Sequence, residues 1–425
     1  MRLTAVVGIF IFIAVLVLID IYAFQGIRTI ARGSSPQLGK IIKIAYWAIC
    51  AGIYIWIFLI GMNFTRNTGP TRPFMQFAGI FLLFLIPKLV VVFVLMGEDI
   101  FRLLRMAFAG IYNMTGDEAS RMTYSTGRRK FVSQLAFGVA AIPFAGIIHG
   151  LTVGKFKFTV RRETLYFPDL PDAFDGFTIT QISDVHSGSF DPVNDRDELQ
   201  GAINLINAQK SDLLLFTGDL VNNKAEEMDP WIDMFSKLHA PYGKFSILGN
   251  HDYGHYVQWP SPMAKVENLQ RLFETHKKIG FNLLRNENVH LEKDGSKISL
   301  LGVENWGVGF GEYGDIDKTL TGVDPKAFKV LMSHDPSHWE KIVRSHPTHV
   351  HLTLSGHTHG MQFGIEIPGI KWSPVKFRYP YWAGLYEAGK KYIYVNRGFG
   401  FLAFPARVGI WPEVTVLTLK KKATA

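Results

Sequence analysis

Residues 351–360 read HLTLSGHTHG, a β-rich run that stops at a glycine and is followed by two histidines one residue apart. The alternation before Ser355 marks a strand, and Gly356 marks the point where strand gives way to loop. The same arrangement recurs upstream. FTITQISDVH (177–186) ends in Asp184 and His186, LLLFTGDL (213–220) in Asp219, KFSILGNHD (244–252) in Asn250 and His251, and FKVLMSHD (328–335) in His334. Strand ends are where α/β sheets place their sites. In D-x-H and H-x-H the two-residue spacing sends both side chains to one face of an extended backbone, so each pair is expected to grip one cluster. Gly218, Gly249 and Gly356 stand immediately before ligand candidates and are expected to let the chain turn sharply.

Histidine nitrogens, carboxylates and one amide oxygen suit Mn, Fe or Zn better than a thiolate-loving or all-oxygen ion. The strand ends offer Asp184, His186, Asp219, Asn250, His251, His334, His357 and His359, and seven protein ligands exceed one site once room is left for substrate. They serve two divalent metal ions that share a carboxylate. His239, His276, His290, His346, His349 and His351 are read as surface or core residues, whereas His255 and His338 lie close to the motifs and stay open. Further strand-like runs, ISLLGVENW, KYIYVNRGFG and EVTVLTL, and helix-like segments at Arg196–Gln209 and Ala264–Ile279 make residues 155–425 an α/β domain with a well-covered sheet.

The first 154 residues have another texture. The chain is 48% hydrophobic with a positive mean hydropathy, and four stretches, 3–24, 41–64, 74–96 and 131–154, reach the roughly 20 apolar residues that cross a bilayer. The first run is longer than a signal core and lacks a small-residue cleavage site, so it reads as a retained helix. Asp20 and Lys88 lie inside these runs, and the expectation is a lysine that snorkels or pairs across the bundle. The net charge of +9 belongs wholly to residues 1–150, which hold fourteen basic and five acidic residues. Basic residues between apolar runs orient membrane helices, so nucleic acid is not an expected partner. Cys50 is the only cysteine, which excludes an intrachain disulfide. The sequence sets no oligomeric state.

In the order D-x-H, G-D-x-x-N, G-N-H-D, a lone His and G-H-x-H, the last 250 or so residues resemble the calcineurin-like metallophosphoesterase family. SGHTHG followed by Gln362, with the YVNRGFG and PEVTVLTL ending, resembles its bacterial membrane-associated or exported phosphodiesterases. The resemblance implies a four-layer αββα sandwich, which the four apolar runs place behind an all-α transmembrane bundle of about four helices. It implies that Asp184, His186 and His359 hold one metal, that Asn250, His334 and His357 hold the other, and that Asp219 bridges them. A water shared by the ions would attack phosphorus in line. His251 would contact the phosphate with Asn250 and protonate the leaving oxygen. Asn222 stands where efficient monoesterases carry an Asp that orients this histidine. Its amide oxygen is expected to fix the imidazole tautomer without stabilising imidazolium, which favours a diester or diphosphate substrate.

KWSPVKFRYPYWAGLY (371–386) mixes aromatic residues and cations as membrane interfaces, apolar-tail clefts and core loops do. GVGFGEYGDIDKTLTG (307–322) is expected to cap the site. Arg397 and Arg407 are open to two uses, a substrate phosphate or a structural carboxylate. Ten basic residues flank the runs on one side (Arg28, Arg32, Lys40, Lys43, Arg102, Arg105, Arg121, Arg128, Arg129, Lys130). Seven lie on the other (Arg2, Arg66, Arg72, Lys155, Lys157, Arg161, Arg162), which puts the first set in the cytoplasm and the catalytic domain outside. GRRKFV (127–132) also resembles the twin-arginine export motif. The expectation is a multi-pass protein of the bacterial inner membrane, acting at its outer face on a phosphoester that is lipid- or envelope-linked. The alternatives are a cytoplasmic-facing UDP-sugar-lipid pyrophosphohydrolase, which needs the opposite topology, and a non-catalytic metal-binding scaffold, which a full ligand set opposes.

Overall fold

A computed structural model of the chain describes residues 3–63, 71–113 and 126–422. Arg2, Arg66 and Arg121 of the charge count, and Phe64 at the end of the second apolar run, lie outside the described residues. Two compact units divide the chain, one built from the helices up to Ile148, the other from His149 onward together with the described residues up to Met75 at the start of the third helix.

Among the described residues, four helices build the first unit: α1 (Leu3–Arg32), α2 (Pro36–Asn63), α3 (Arg72–Asn113) and α4 (Thr126–Thr152). Each contains a stretch long and apolar enough to cross a membrane. In lipid the backbone must satisfy its own hydrogen bonds, so these runs are helical whatever their β-branched content. Charge inside them is paired. Lys88 Nζ on α3 lies 2.7 Å from Asp20 Oδ1 on α1, and Tyr54 OH on α2 donates to the other Asp20 oxygen at 2.7 Å. Arg129 on α4 reaches Asp99 Oδ1 on α3 at 2.8 Å and Gln25 Oε1 on α1 at 2.9 Å. Arg128 stacks its guanidinium 4.5 Å from the centre of the Phe101 ring. The arginine pair of GRRKFV is therefore used in helix packing.

The second unit carries two six-stranded sheets. The first runs in the order Thr159–Phe167, Glu413–Lys421, Thr178–Ile182, Leu213–Phe216, Lys244–Ser246 and Asn282–Leu283, parallel except where Glu413–Lys421 meets Thr178–Ile182. The second runs Gly384–Ala388, Lys391–Val395, Leu352–Ser355, Lys329–Met332, Ser296–Gly302 and Glu287–Lys293, antiparallel only at its two edges.

The period of two along each strand explains the layering. Leu213 and Leu215 join Val330, Met332, Leu352 and Leu354 of the other sheet in a core between the sheets. Their neighbours Leu214 and Phe216 point the other way, against Leu199 and Ile203 of helix Arg196–Asn207 and Leu272 of helix Pro262–Lys278. On the far side Leu331, Ile393 and Val395 pack under Trp339 and Ile316. Strands buried on both faces read as unbroken apolar runs such as LLLF, each leucine contributing about 1.5–3 kcal/mol. Helix, sheet, sheet, helix is the four-layer order expected, and it brings the parallel strands of both sheets to end on one side.

Candidate metal centre

Loops after Ile182, Phe216, Ser246, Met332 and Ser355 carry the candidate residues to that side. Their backbone is bent in an uncommon way. Asp184, His186, Asp219, His357 and His359 all have positive φ, between 47° and 68°, a region that costs a non-glycine residue about 1–3 kcal/mol. The two-residue spacings thus do not work through an extended backbone, and the H-x-H pair does not grip one cluster. His359 joins Asp184 and His186, while His357 joins Asp219 and His334. Of the three glycines, Gly218 takes the left-handed turn, with φ 97°. Gly249 and Gly356 serve close approach, since a Cβ there would overlap the Asp219 carboxylate and the Ser183 hydroxyl respectively.

The first group closes tightly. His186 Nε2 and His359 Nε2 are 3.0 Å apart, and His359 Nε2 is 3.3 Å from Asp184 Oδ1. Asp219 Oδ2 lies 3.2 Å from His334 Nε2 and 3.5 Å from His186 Nε2, so a single oxygen adjoins both groups. Ligands around one ion with bonds of about 2.1 Å are separated by roughly 3.0–3.4 Å, the spacing seen here.

For His334 and His357, hydrogen bonds to one ring nitrogen fix which nitrogen faces inward. His334 Nδ1 donates to the Thr217 carbonyl at 2.7 Å, which leaves the buried Nε2 without a hydrogen-bonding partner. Burial opposes a charge on His334, yet the Asp219 carboxylate beside it lifts its pKa to about 10, as it would favour any cation at that point. His357 Nε2 lies 2.7 Å from Tyr379 OH, which itself donates to Asp335 Oδ2 at 3.2 Å. His357 Nδ1 is then a lone pair, and it faces Asn250 Oδ1 at 2.8 Å. The Asn250 amide nitrogen is already spent on Tyr256 OH. Two acceptors this close repel unless a cation lies with them. Burial holds His186 and His357 below the usual histidine range, in the neutral form that binds metal.

His251 belongs to neither group. Its backbone N–H donates to Asp219 Oδ1 at 2.8 Å and its Nδ1 to the Asn222 carbonyl at 2.8 Å. The Asn222 side chain does not reach the ring; its Nδ2 lies 3.2 Å from Ser189 Oγ. The expected amide contact is therefore a main-chain one. Burial also lowers His251 from its ordinary pKa.

Four supporting residues escaped the sequence reading. Asp252 accepts from the backbone N–H groups of Gly249, Asp219, Leu220 and Val221, fastening one ligand loop to another. Tyr379 and Asp335 orient His357, and Tyr256 packs against His251 at a tilt of 37° with ring centres 4.5 Å apart. Asp252 and Asp335 end the GNHD and MSHD motifs, so adjacency was their only signal. Phe310 from the 307–322 loop packs edge-on against His357 at 4.8 Å. Arg397 pairs with Glu366 and Glu413, and Arg407 is buried on the carbonyls of Arg397 and Gly400 beside His359 Nδ1. Both arginines are structural. His255 bonds Lys265 and Tyr313, and His338 bonds Ser333, outside the two groups.

Comparison with known proteins agrees with this geometry. The family model "Calcineurin-like phosphoesterase" matches residues 177–361, and "Probable Calcineurin-like phosphoesterase, transmembrane domain" matches residues 3–155. The uncharacterized metallophosphoesterase YkuE of Bacillus subtilis is 35% identical over 254 residues, 59% of this chain and 82% of that protein. An uncharacterized metallophosphoesterase of Aquifex aeolicus is 30% identical over 62% of this chain and 92% of its own length. Phosphodiesterase YaeI of Escherichia coli is 28% identical over 69% of this chain and 98% of its own. With its four apolar helices and two candidate metal groups, the chain belongs to the calcineurin-like metallophosphoesterases and is a membrane-associated hydrolase.

Proposed function

We propose that the catalytic unit binds two divalent ions, Mn, Fe or Zn, one on Asp184, His186 and His359 and the other on Asn250, His334 and His357, with Asp219 between them. The observation that carries this reading is the position of Asp219 Oδ2, adjacent to histidine nitrogens of both groups. Ions held there would neutralise phosphoryl oxygens and lower the pKa of water at neutral pH. The chain's own part in the reaction falls to His251. The Asn222 carbonyl pins its Nδ1–H, so Nε2 is the atom that hands a proton to the leaving oxygen as the P–O bond breaks. Burial disfavours imidazolium there, and an anionic phosphoryl group beside it restores the proton.

The bond cleaved is a phosphodiester, diphosphate or monoester of a lipid- or envelope-linked substrate, at the outer face of the bacterial inner membrane. Membrane-spanning helices on the same chain, the ten-to-seven basic majority and the phosphodiesterase name of the Escherichia coli relative support this. Full-length protein supplied with Mn should hydrolyse a chromogenic bis-phosphodiester, and both Asp219→Asn and His251→Ala should cost roughly a hundredfold or more in rate. Absence of metal-dependent turnover overturns the reading. A reporter fused after residue 425 tests the outer placement, and a cytoplasmic signal would turn the assignment to a UDP-sugar-linked lipid diphosphate.

A further inference from the structure

Three residues beyond the turn that carries His359, the chain forms a small antiparallel hairpin, Ile365–Ile367 against Ile370–Trp372. Its register pairs Ile365 with Trp372 and Ile367 with Ile370, so all four stand on one face. That face is exposed: the isoleucines are 51%, 55% and 52% accessible, and neighbouring Phe377 and Met361 are 81% and 58% accessible. The charged pair of the hairpin points the other way. Glu366 accepts from Arg161 and Arg397, and Lys371 donates to the Ala383 carbonyl over the Trp382 and Tyr386 rings.

The hairpin is thus amphipathic in the inverted sense, apolar toward the surroundings and ionic toward its own domain. A polar face could have been turned outward by a one-residue shift of register, yet Arg161 and Arg397 hold Glu366 inward. A patch of this kind is built for contact. The nature of the contact follows from the chain itself. Only Val153–Phe158 separate α4 from the first strand, a link that spans at most about 20 Å when extended, so the domain is tied to the bilayer that α4 crosses. Trp372 and the exposed Lys376 beside Phe377 suit the headgroup region, where indoles and cations settle.

We propose that this hairpin, with Phe377 and Met361, inserts shallowly into the membrane surface. The hairpin is fastened to the metal centre: Ser373 Oγ, just past its second strand, donates to the carbonyl of Gly360 next to His359 at 2.7 Å. Docking therefore presents the site to groups at headgroup depth. The inference concerns the surface and stands apart from catalysis, so it can be tested in the inactive Asp219→Asn protein.

The full-length chain, with Cys50→Ser, is labelled with an environment-sensitive fluorophore at Ile367→Cys and, as a control at the opposite end of the sandwich, at Asp294→Cys. Both are placed in phosphatidylethanolamine/phosphatidylglycerol nanodiscs carrying shallow spin-labelled lipids. Quenching several-fold greater at 367 than at 294, and loss of the excess on Ile370→Glu in a protein of unchanged melting temperature, is the expected result. Equal quenching at the two positions overturns the proposal. Shielding at 367 that grows with protein concentration in lipid-free detergent also overturns it, by giving the face to a second copy of the chain.

Discussion

Both units of this protein bury charge, and they balance it in opposite ways. In the helical unit the carboxylates Asp20 and Asp99 meet donors: Asp20 takes Lys88 on one oxygen and Tyr54 on the other, and Asp99 takes Arg129 and Tyr22. In the catalytic unit acceptors meet acceptors. Neutral His357 presents its Nδ1 lone pair to Asn250 Oδ1, and His334, its other nitrogen already donating, meets Asp219 Oδ2 only by taking up a cation, here the extra proton favoured by a pKa lifted to about 10. A balanced cluster is complete as folded, whereas an acceptor-rich one calls for a cation from outside. Counting donors against acceptors therefore separates a packing device from a binding site, although both are groups of buried polar residues.

The sharpest way to break this comparison is in the bundle. Lys88→Met leaves the Asp20 carboxylate buried without its cation and should destabilise the full-length protein in micelles by about 3–5 kcal/mol. Adding Asp20→Asn removes the stranded charge and should return most of that loss, read from unfolding in detergent. Turnover of a soluble diester per folded molecule should be unchanged in the double variant. A fall in that turnover with the fold intact would give the pair a part in the chemistry, and the contrast between the units would fail.

Tyr379→Phe probes the catalytic side with a smaller effect. It removes the hydroxyl 2.7 Å from His357 Nε2, leaving the ring only Asp335 Oδ2 at 3.3 Å on that nitrogen. Metal affinity should weaken by about 10–100-fold, seen as a shift in metal titration by calorimetry. Saturating metal should restore most of the rate. An unshifted titration would mean that Asp335, with Phe310 packed against the ring, holds His357 without the hydroxyl.

What was legible beforehand follows from how each feature is encoded. Short β-rich runs ending in D-x-H, GD, GNHD, SHD and GHTHG announce an α/β sheet with a site at its strand ends, because composition and punctuation are local properties of sequence. The mode of convergence was not legible. Five left-handed residues split His357 from His359, and backbone torsion of that kind leaves no mark on residue type. Asp20 and Lys88 were conspicuous as charges in apolar runs, but their pairing depends on how α1 meets α3. Ile365, Ile367 and Ile370 alternate as any half-buried strand does, and only the ion pairs of Glu366 reveal that the apolar face is the outer one.

Asn222 is where the contact runs through the main chain, and it yields the smallest effect. Residue type suggested that an amide in place of a carboxylate would weaken His251 as an acid and favour diesters. In the structure the ring is held by the Asn222 carbonyl, which every residue possesses. The side chain is turned to Ser189, and the Asn222 N–H is tied to Glu227 Oε2 at 2.6 Å. An aspartate at this position keeps the carbonyl and still accepts from the Ser189 hydroxyl. Asn222→Asp should therefore leave the ratio of kcat/KM for chromogenic diester and monoester substrates as it is. A shift toward the monoester would show that a carboxylate here swings to the imidazole and supplies charge, so that side chain and not main chain would set the acid strength of His251.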